Sequence, residues 1–368
     1  MNGLLFILMS SVGGLLLSLT GLSIGWLIGT LVTAAFLSFK PLPFLKFTHG
    51  SRGISSYWLR AGQCIVGIEL GKKMNLSVLH TFQANWLMIS MMLVLSLAFS
   101  LLAGFVLWKF SKIEMMTSFF STAPGGLTAI PSIAEEVGAN TAVVSIVQTM
   151  RVFLVVLTIP LAVSLMSSTE SREAVLISGS AEGFGFGSFM GTLIFIIVGC
   201  IGYFVGKYLR FPAPWLVGSM VTVAVFQGVT ASIIGYEPRA WWPGEFIIIA
   251  QVLIGACIGS RLHRDMFRGL GKAMMVALFN IIGLIVAMLL SAALFAEMTG
   301  MSYITVALAM APGGIAEMAT TAVVLQADST FVVAVQVLRV IAVLIVLPIF
   351  FRVLARKSST RNKEHQFK

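Results

Sequence analysis

Two copies of one short element, Ala-Pro-Gly-Gly, hold residues whose types and spacing could do chemistry. They begin at Ala123 and Ala311, which lie 188 positions apart in a chain of 368 residues. A proline removes one helical N–H donor and two glycines add backbone freedom, so each copy predicts a break in an apolar helix. Carbonyl groups freed at such a break could coordinate a cation, and N–H groups that start the next half-helix could hold an anion. Unless the breaks serve packing alone, the candidate substrate-binding residues are Pro124, Gly125, Gly126, Thr128, Pro312, Gly313 and Gly314.

Two Gln-x-x-Arg pairs stand inside apolar stretches at the same spacing of 188. They are Gln148 with Arg151 and Gln336 with Arg339. Residues three apart share a helix face, and a charged residue within a membrane span costs about 2.5 to 3.5 kcal/mol, so each pair should face the bundle interior. Two interpretations stand side by side. The guanidinium groups could clamp a carboxylate or phosphate of a substrate, or they could bond carbonyls freed at the breaks and pair with acidic residues.

Glu317 is the further candidate for the substrate site. It follows Gly314 by three residues, in the first turn of a half-helix, where the helix dipole favours a negative charge. The position 188 residues earlier holds Ala129, so the carboxylate occurs in one copy only. That asymmetry would suit proton or sodium coupling, and an ion pair with one of the buried arginines would explain it equally well.

Other polar residues near the apolar stretches are predicted to be structural. Glu135 and Glu136 lie close to Asn140, and Asp328 corresponds to Asn140 in position. These residues are expected to cap the stretches that begin at Thr141 and Ser329. Glu69 lies close to the end of its stretch, which favours a place at the membrane interface.

The composition places the chain in a membrane. Hydrophobic residues make up 58% of it and charged residues 10%, whereas soluble domains hold about 25% charged residues. The net charge of +10 comes from basic residues in short loops and in the tail after Phe351, where they act as cytoplasmic retention signals rather than as a nucleic-acid surface.

Apolar stretches with charged or Gly/Pro punctuation predict ten helical spans, since one crossing takes about 20 residues. The predicted spans are 3–19, 24–39, 55–71, 82–110 and 141–166 in the first half, and 187–209, 213–231, 243–261, 273–296 and 328–351 in the second. The chain is thereby divided into a first transmembrane repeat at 1–166, a linker at 167–186, a second repeat at 187–351 and a basic cytoplasmic tail at 352–368.

The two repeats are expected to be inverted. If each Ala-Pro-Gly-Gly element dips into the bilayer and returns, 17 basic residues fall on the inner side and 4 on the outer side. If the elements cross, the division becomes 13 against 8. The positive-inside rule favours the first arrangement. The predicted fold is therefore an all-α polytopic membrane protein with two inverted repeats of about five spans each, plus one broken or re-entrant helix per repeat.

An enzyme is not expected. The four histidines fall in predicted loops and the tail, and the sequence holds no nucleophile elbow, Walker loop or CxxC motif. Cys64, Cys200 and Cys257 lie in apolar stretches without metal-ligand spacing. No metal and no cofactor are predicted.

The repeated motifs resemble the bacterial membrane family called AbrB. They are the two Ala-Pro-Gly-Gly elements, the Gln-x-x-Arg pairs and the Trp-Leu-x-Gly pattern at Trp26 to Gly29 and Trp215 to Gly218. The likeness covers nearly the whole chain, up to about Phe351. The family also goes under the names AbrB family transcriptional regulator and ammonia monooxygenase. The residues fit neither name, since no DNA-reading element and no intramembrane histidine ligands for copper are present.

The resemblance implies a relationship to the cation:proton antiporter and anion transporter superfamily, whose inverted repeats have discontinuous helices that meet at the centre. It assigns those interruptions to Pro124 to Gly126 and to Pro312 to Gly314. The paired acidic residues usual in that superfamily have no clear match in this sequence.

The sequence as a whole predicts a secondary transporter of the bacterial inner membrane, with both termini in the cytoplasm. It would move a small solute, for which an anion would suit the arginines, by alternating access. The expected partners are the lipid bilayer and a small-molecule or ion substrate, with a homodimer as an open option and nucleic acid excluded. The alternative is a membrane-embedded regulatory or scaffold protein that regulates gene expression through its cytoplasmic face.

Overall fold

The computed structural model describes residues 2–39, 53–74, 77–124, 129–136, 138–166, 186–234, 240–264 and 271–346. Throughout these ranges the secondary structure is helical, with turns between the helices. The predicted tail at 352–368 lies outside the described residues, as does the predicted linker except for Phe186, which begins a helix.

The helices begin and end within a few residues of the predicted spans. In chain order they are α1 (Asn2–Ser18), α2 (Gly25–Phe39), α3 (Ser56–Lys73), α4 (Ser77–Ser111, kinked at Asn85), α5 (Met115–Thr122), α6 (Ala129–Glu136) and α7 (Thr141–Met166). They continue with α8 (Phe186–Tyr208), α9 (Pro214–Val229, extended by a π turn over Thr230–Ile234), α10 (Glu245–Arg261), α11 (Gly271–Thr299), α12 (Tyr303–Met310), α13 (Ile315–Val324) and α14 (Ser329–Val346).

Six of these helices are long and apolar enough to cross a membrane by themselves. They are α4 from Asn85, α7, α8, α9 with its π turn, α11 and α14. The other four predicted spans are shorter or more polar. Helices α1 and α2 are apolar but have 17 and 15 residues, and α3 and α10 have 18 and 17 residues and carry charged side chains. The chain is therefore an all-helical, multi-span membrane protein.

Glycines allow two pairs of neighbouring helices to touch backbone to backbone. A Cβ atom added to Gly29 of α2 would lie 2.1 Å from the carbonyl oxygen of Gly13 in α1. A Cβ atom added to Gly218 of α9 would lie 2.2 Å from the carbonyl oxygen of Gly202 in α8. Small residues drive helix association in membranes because they permit this approach.

A second set of glycines joins the two halves of the chain crosswise. Gly67 of α3 faces the carbonyl oxygen of Leu216 in α9, at 2.5 Å from an added Cβ. Gly255 of α10 faces the carbonyl oxygen of Leu27 in α2, at 2.8 Å. The third helix of each half thus packs on the second helix of the other half.

The remaining helices form a second group around the Ala-Pro-Gly-Gly segments. Helix α4 packs against α11, and α5 and α12 both pack against α7. Their inward side chains share one buried hydrophobic cluster, which includes Leu107, Val155, Ile281, Ala307 and Val335. Those candidate substrate-binding residues that the structure describes lie within this second group.

Candidate functional site

Helices end where the Ala-Pro-Gly-Gly segments begin. Helix α5 stops at Thr122 and α12 at Met310, and the alanine that follows each has an extended backbone, with ψ of 127° at Ala123 and 129° at Ala311. Gly314 is also extended, and α13 starts directly after it. Pro124 is buried, whereas the candidates Gly125, Gly126 and Thr128 lie outside the described residues. The second break is described completely.

Each broken element folds back to the end from which it entered. The backbone N–H of Asn140, just before α7, donates to Thr117 Oγ1 near the start of α5 at 3.0 Å. The N–H of Asp328, just before α14, donates to Thr305 Oγ1 near the start of α12 at 3.2 Å. Helices α5 and α7 therefore start side by side, as do α12 and α14, so the short helices on the two sides of each break are arranged as a hairpin.

Arg339 and Gln336 satisfy the carbonyls that the second break leaves without helical partners. The last four carbonyls of any α-helix lack intrahelical donors. Gln336 Nε2 donates to Leu308 O at 2.8 Å and to Ala311 O at 3.1 Å. Arg339 donates from Nη1 to Met310 O at 3.3 Å and to Ala311 O at 2.5 Å, and from Nη2 to Gly313 O at 3.2 Å.

A short bond ties the two side chains of this pair together. Arg339 Nη2 donates to Gln336 Oε1 at 2.5 Å, across the three-residue spacing predicted to put both on one helix face. Arg339 is 1% exposed and Gln336 is fully buried. The pair is thus a rigid donor array inside the bundle.

Gln148 and Arg151 do the same at the first break. Gln148 Nε2 donates to Phe120 O at 2.9 Å, and Arg151 Nη1 donates to Thr122 O at 2.8 Å. Ser100 Oγ of α4 also donates to Thr122 O, at 3.0 Å. Phe120 and Leu308 correspond at the spacing of 188, so the glutamines bond equivalent carbonyls in the two halves.

These bonds bear on the two roles that the sequence allowed for the arginines. Both side chains bond carbonyls at the breaks, which is the structural role. Part of their bonding capacity remains, because Nε of Arg151, Nε of Arg339 and Oε1 of Gln148 are buried without a partner among the described residues.

The positive charges of the site have no carboxylate partner within salt-bridge distance in the described part of the chain. The ion pairs found there join Glu69 to Lys72 at 3.9 Å and to Lys73 at 2.8 Å, at the end of α3. Buried positive charges without a carboxylate partner attract a negative charge.

Glu317 sits at the second break without contacting an arginine at ion-pair distance in the described residues. Its carboxylate lies over Gly314, where an added Cβ would be 2.0 Å from Glu317 Oε2. The residue is 6% exposed and occupies the first turn of α13. The ion pair with Arg151 or Arg339, one of the two explanations considered for this carboxylate, is therefore not formed in this conformation, and the carboxylate lies over the first turn of its own helix.

Two of the predicted caps, Asn140 and Asp328, are confirmed. Asn140 Oδ1 accepts from the N–H of Val143 at 3.2 Å, and Asp328 Oδ1 accepts from the N–H of Phe331 at 2.9 Å. Glu69 lies at the end of α3 with its two lysines, as predicted for an interfacial residue.

One polar residue that the sequence analysis did not single out also borders the site. A cavity of about 10 Å³ is lined by Arg151, Thr122 and Ser121 on one side and by Asn280 of α11 on the other, and a cavity of roughly this size can hold one water molecule. Asn280 lies in a 29-residue apolar helix, and a lone amide in such a span was the signal that could have identified it.

The described residues contain no group of three or more His, Cys, Asp and Glu side chains that could hold a metal ion. The chemistry that this arrangement supports is binding, through buried cationic donors and interrupted backbone.

Comparison with known proteins covers nearly the whole chain. A family model described as "Transition state regulatory protein AbrB" matches residues 26–355. The chain is 50% identical over 358 residues to protein YhjN of Bacillus subtilis (strain 168), which covers 96% of this chain and 93% of that protein. It is 26% identical over 302 residues to a protein of Escherichia coli (strain K12) that carries the name regulator AbrB, covering 82% of this chain and 84% of that protein.

Proposed function

The chain belongs to the AbrB family, and we propose that it is a secondary transporter, not an enzyme, that moves a small anionic solute by alternating access. The proposed binding site consists of the two breaks and the residues that contact them: Pro124, Gly125, Gly126, Thr128, Gln148, Arg151, Pro312, Gly313, Gly314, Glu317, Gln336 and Arg339.

A single observation carries this proposal. Two buried arginines lie next to interrupted helices, and neither has a carboxylate within 4.0 Å in the described part of the chain. Unpaired charge in a bilayer is expensive, and residues that bear it commonly mark a substrate or ion pathway. A solute anion would supply the missing counter-charge.

An inverted repeat is part of the proposal, because alternating access in such folds exchanges two equivalent conformations. The bonds from Asn140 to Thr117 and from Asp328 to Thr305 support it, since they correspond at a spacing of 188. If the two hairpins dip into the membrane and the shorter helices α1, α2, α3 and α10 cross it together with the six long ones, each half has five spans, and an odd number inverts the second half. The distribution of basic loops supports a cytoplasmic location for both termini.

Glu317 would give the second break a role that the first lacks. Its carboxylate occupies the start of α13 and could take up or release a coupling ion when the solute binds Arg339. Exchange of Glu317→Gln should then leave solute binding in place and abolish the dependence of uptake on a proton or sodium gradient.

Solute flux in proteoliposomes tests the proposal. We expect uptake of labelled organic anions above that of empty liposomes, and a loss of at least about tenfold in Arg151→Gln, in keeping with loss of a charged hydrogen bond. Gly313→Leu should also stop flux, since an added Cβ would already lie 3.0 Å from Val155. The matched control is Gly228→Leu, where an added Cβ meets nothing within 4 Å. Flux that persists unchanged in both site variants would exclude this site.

A regulatory or scaffold role is the second candidate, favoured by the family description and by the name of the Escherichia coli relative. A scaffold would act through its cytoplasmic face, where the basic tail is predicted. Deletion of residues 358–368 separates the two functions. A scaffold should lose its effect on gene expression, whereas a transporter should retain its flux.

A further inference from the structure

A groove of about 650 Å³ runs between α4 and α11, outside the set of candidate residues. Its walls are apolar and include Phe99, Phe110, Phe279 and Gly283, while Lys272 and Asn280 are its polar side chains. Phe110 and Phe279 are exposed, at 58% and 66%, so the groove faces the surroundings of the protein. Ligand sites of about 300 to 1,000 Å³ usually combine an apolar lining with few polar groups, as here.

The groove ends against the arginine of the first break. Ala103, Asn280 and Leu284 line both this groove and the small cavity that Arg151 and Thr122 line from the other side. This shared wall includes a hydrogen bond from Asn280 Nδ2 to Ala103 O at 2.7 Å. Rotation of the Asn280 amide would remove one part of the wall between the groove and the cavity at Arg151.

The polar groups lie at two different depths. Asn280 follows Gly271, the first residue of α11, by nine positions, and this places it about 14 Å along the helix, which is close to the middle of a bilayer core of about 30 Å if the helix starts at the edge of that core. Lys272 lies at the start of the helix, near the interface. Beyond the Asn280 gate, Arg151 presents a buried Nε that has no partner among the described residues.

The geometry points to an amphipathic organic monoanion as the ligand of this groove, and we propose that its acid group reaches Arg151 while its apolar body lies between α4 and α11. Asn280 is the gate, and Lys272 attracts the anion to the open end. Calling this ligand the transported substrate rests on the proposed function, whereas its binding does not.

A free single-chain anion fits better than a membrane phospholipid. A phospholipid keeps its phosphate at the interface, where it could contact Lys272 but not Arg151 near the bilayer middle. Asn280 lies eight helical steps from Lys272, or about 12 Å, enough for one short extended chain whose acid group points inward.

The opposite side of the molecule lacks the gate. The position that corresponds to Asn280 at the spacing of 188 is Met92, which is 2% exposed. A methionine side chain cannot donate the hydrogen bond that Asn280 donates to Ala103 O, so the gate proposed for Arg151 has no counterpart at this position.

Photolabelling of the full-length protein in nanodiscs tests the site, with a diazirine derivative of decanoate as the probe. We expect labelled peptides from α4 and α11, competition by decanoate, and competition by uncharged decanol that is at least about tenfold weaker, as expected for a charged hydrogen bond. Gly283→Leu should abolish labelling, because an added Cβ at Gly283 meets nothing within 4 Å and the larger side chain can fill the groove without a clash. Gly228→Leu, equally open but on α9, should label like the wild type.

Three outcomes would overturn the inference: decanol competing as well as decanoate, phosphatidylglycerol competing as well as decanoate, or full labelling of Gly283→Leu. The first would leave a lipid-contact surface and the second a phospholipid site. Decanoate flux in the same preparations distinguishes this inference from the proposed function. Labelling that decanoate competes and Gly283→Leu abolishes, without decanoate flux, would uphold the site and refute transport. Anion flux together with unaltered labelling of Gly283→Leu would uphold transport and refute the groove as the binding site.

Discussion

Replacement of Arg339 by lysine isolates the role of its fork of donors while keeping the positive charge. Arg339 donates four hydrogen bonds, to the carbonyls of Met310, Ala311 and Gly313 and to Gln336 Oε1. A lysine ammonium is a point donor with three protons, so it cannot reach acceptors spread over this stretch of backbone. We expect it to keep at most two of the four bonds.

The magnitude follows from the bonds that are lost. A hydrogen bond from a charged donor contributes about 1.5 to 3 kcal/mol, so the loss of two should destabilise the protein by about 3 kcal/mol or more. The freed carbonyls would stay buried, because Ala311 is fully buried and Met310 is 2% exposed. Such a loss should lower the melting temperature by several degrees.

The measurement is the fraction of monodisperse protein that survives heating in detergent, read by size-exclusion chromatography. The control is Arg60→Lys, because Arg60 is exposed and its guanidinium lies 5.4 Å from the Tyr57 ring centroid. That exchange should change stability by less than about 0.5 kcal/mol. Equal melting temperatures for the two variants would refute the assignment of Arg339 as the group that holds the second break.

Three further predictions concern the glycine contact between α8 and α9, the second break, and the side of the membrane to which the first hairpin returns. Gly218→Leu should prevent assembly of a monodisperse protein, since even a Cβ would lie 2.2 Å from the Gly202 carbonyl oxygen; a wild-type elution profile would contradict this. Gly314→Ala should destabilise the protein by about 1 to 3 kcal/mol through overpacking against the Glu317 carboxylate, and the double variant with Glu317→Ala should recover most of the loss of melting temperature. Glu135→Cys, in a background without native cysteines, should react with a membrane-impermeant maleimide only after cells are opened, because the hairpin returns to the cytoplasmic side; labelling of intact cells would show that the element crosses.

The sequence was sufficient to predict the helices and their interruptions. Apolar length and Gly/Pro punctuation gave bounds such as 141–166, which is the observed extent of α7. The proline and glycines at 312–314 predicted a break, and α12 ends at Met310. These properties depend on local composition and on backbone chemistry, both of which are visible in a single chain.

Other features depend on contacts between distant residues and were not determined by pattern. The return of each hairpin depends on Thr117 and Thr305, and threonine in an apolar helix is too common to signal such a contact. The sequence left open whether Arg151 and Arg339 bind a substrate or bond backbone carbonyls at the breaks, because only distances show which of their donors already have acceptors. Asn280 was overlooked since its importance comes from its position between a groove and a cavity.

The crosswise glycine contacts have a consequence for how the protein is made. Gly67 packs on α9, which follows roughly 150 residues later in the sequence. Because a ribosome adds about 5 to 20 residues per second, α3 is made several seconds before α9. During that interval the glycine face of α3 lacks α9, and the face of α2 that receives Gly255 stays uncovered until α10 is made. The N-terminal half is therefore inserted into the bilayer before the helices that cover its packing faces are made. We expect the two halves to fold as one unit, and an N-terminal half made alone to be degraded.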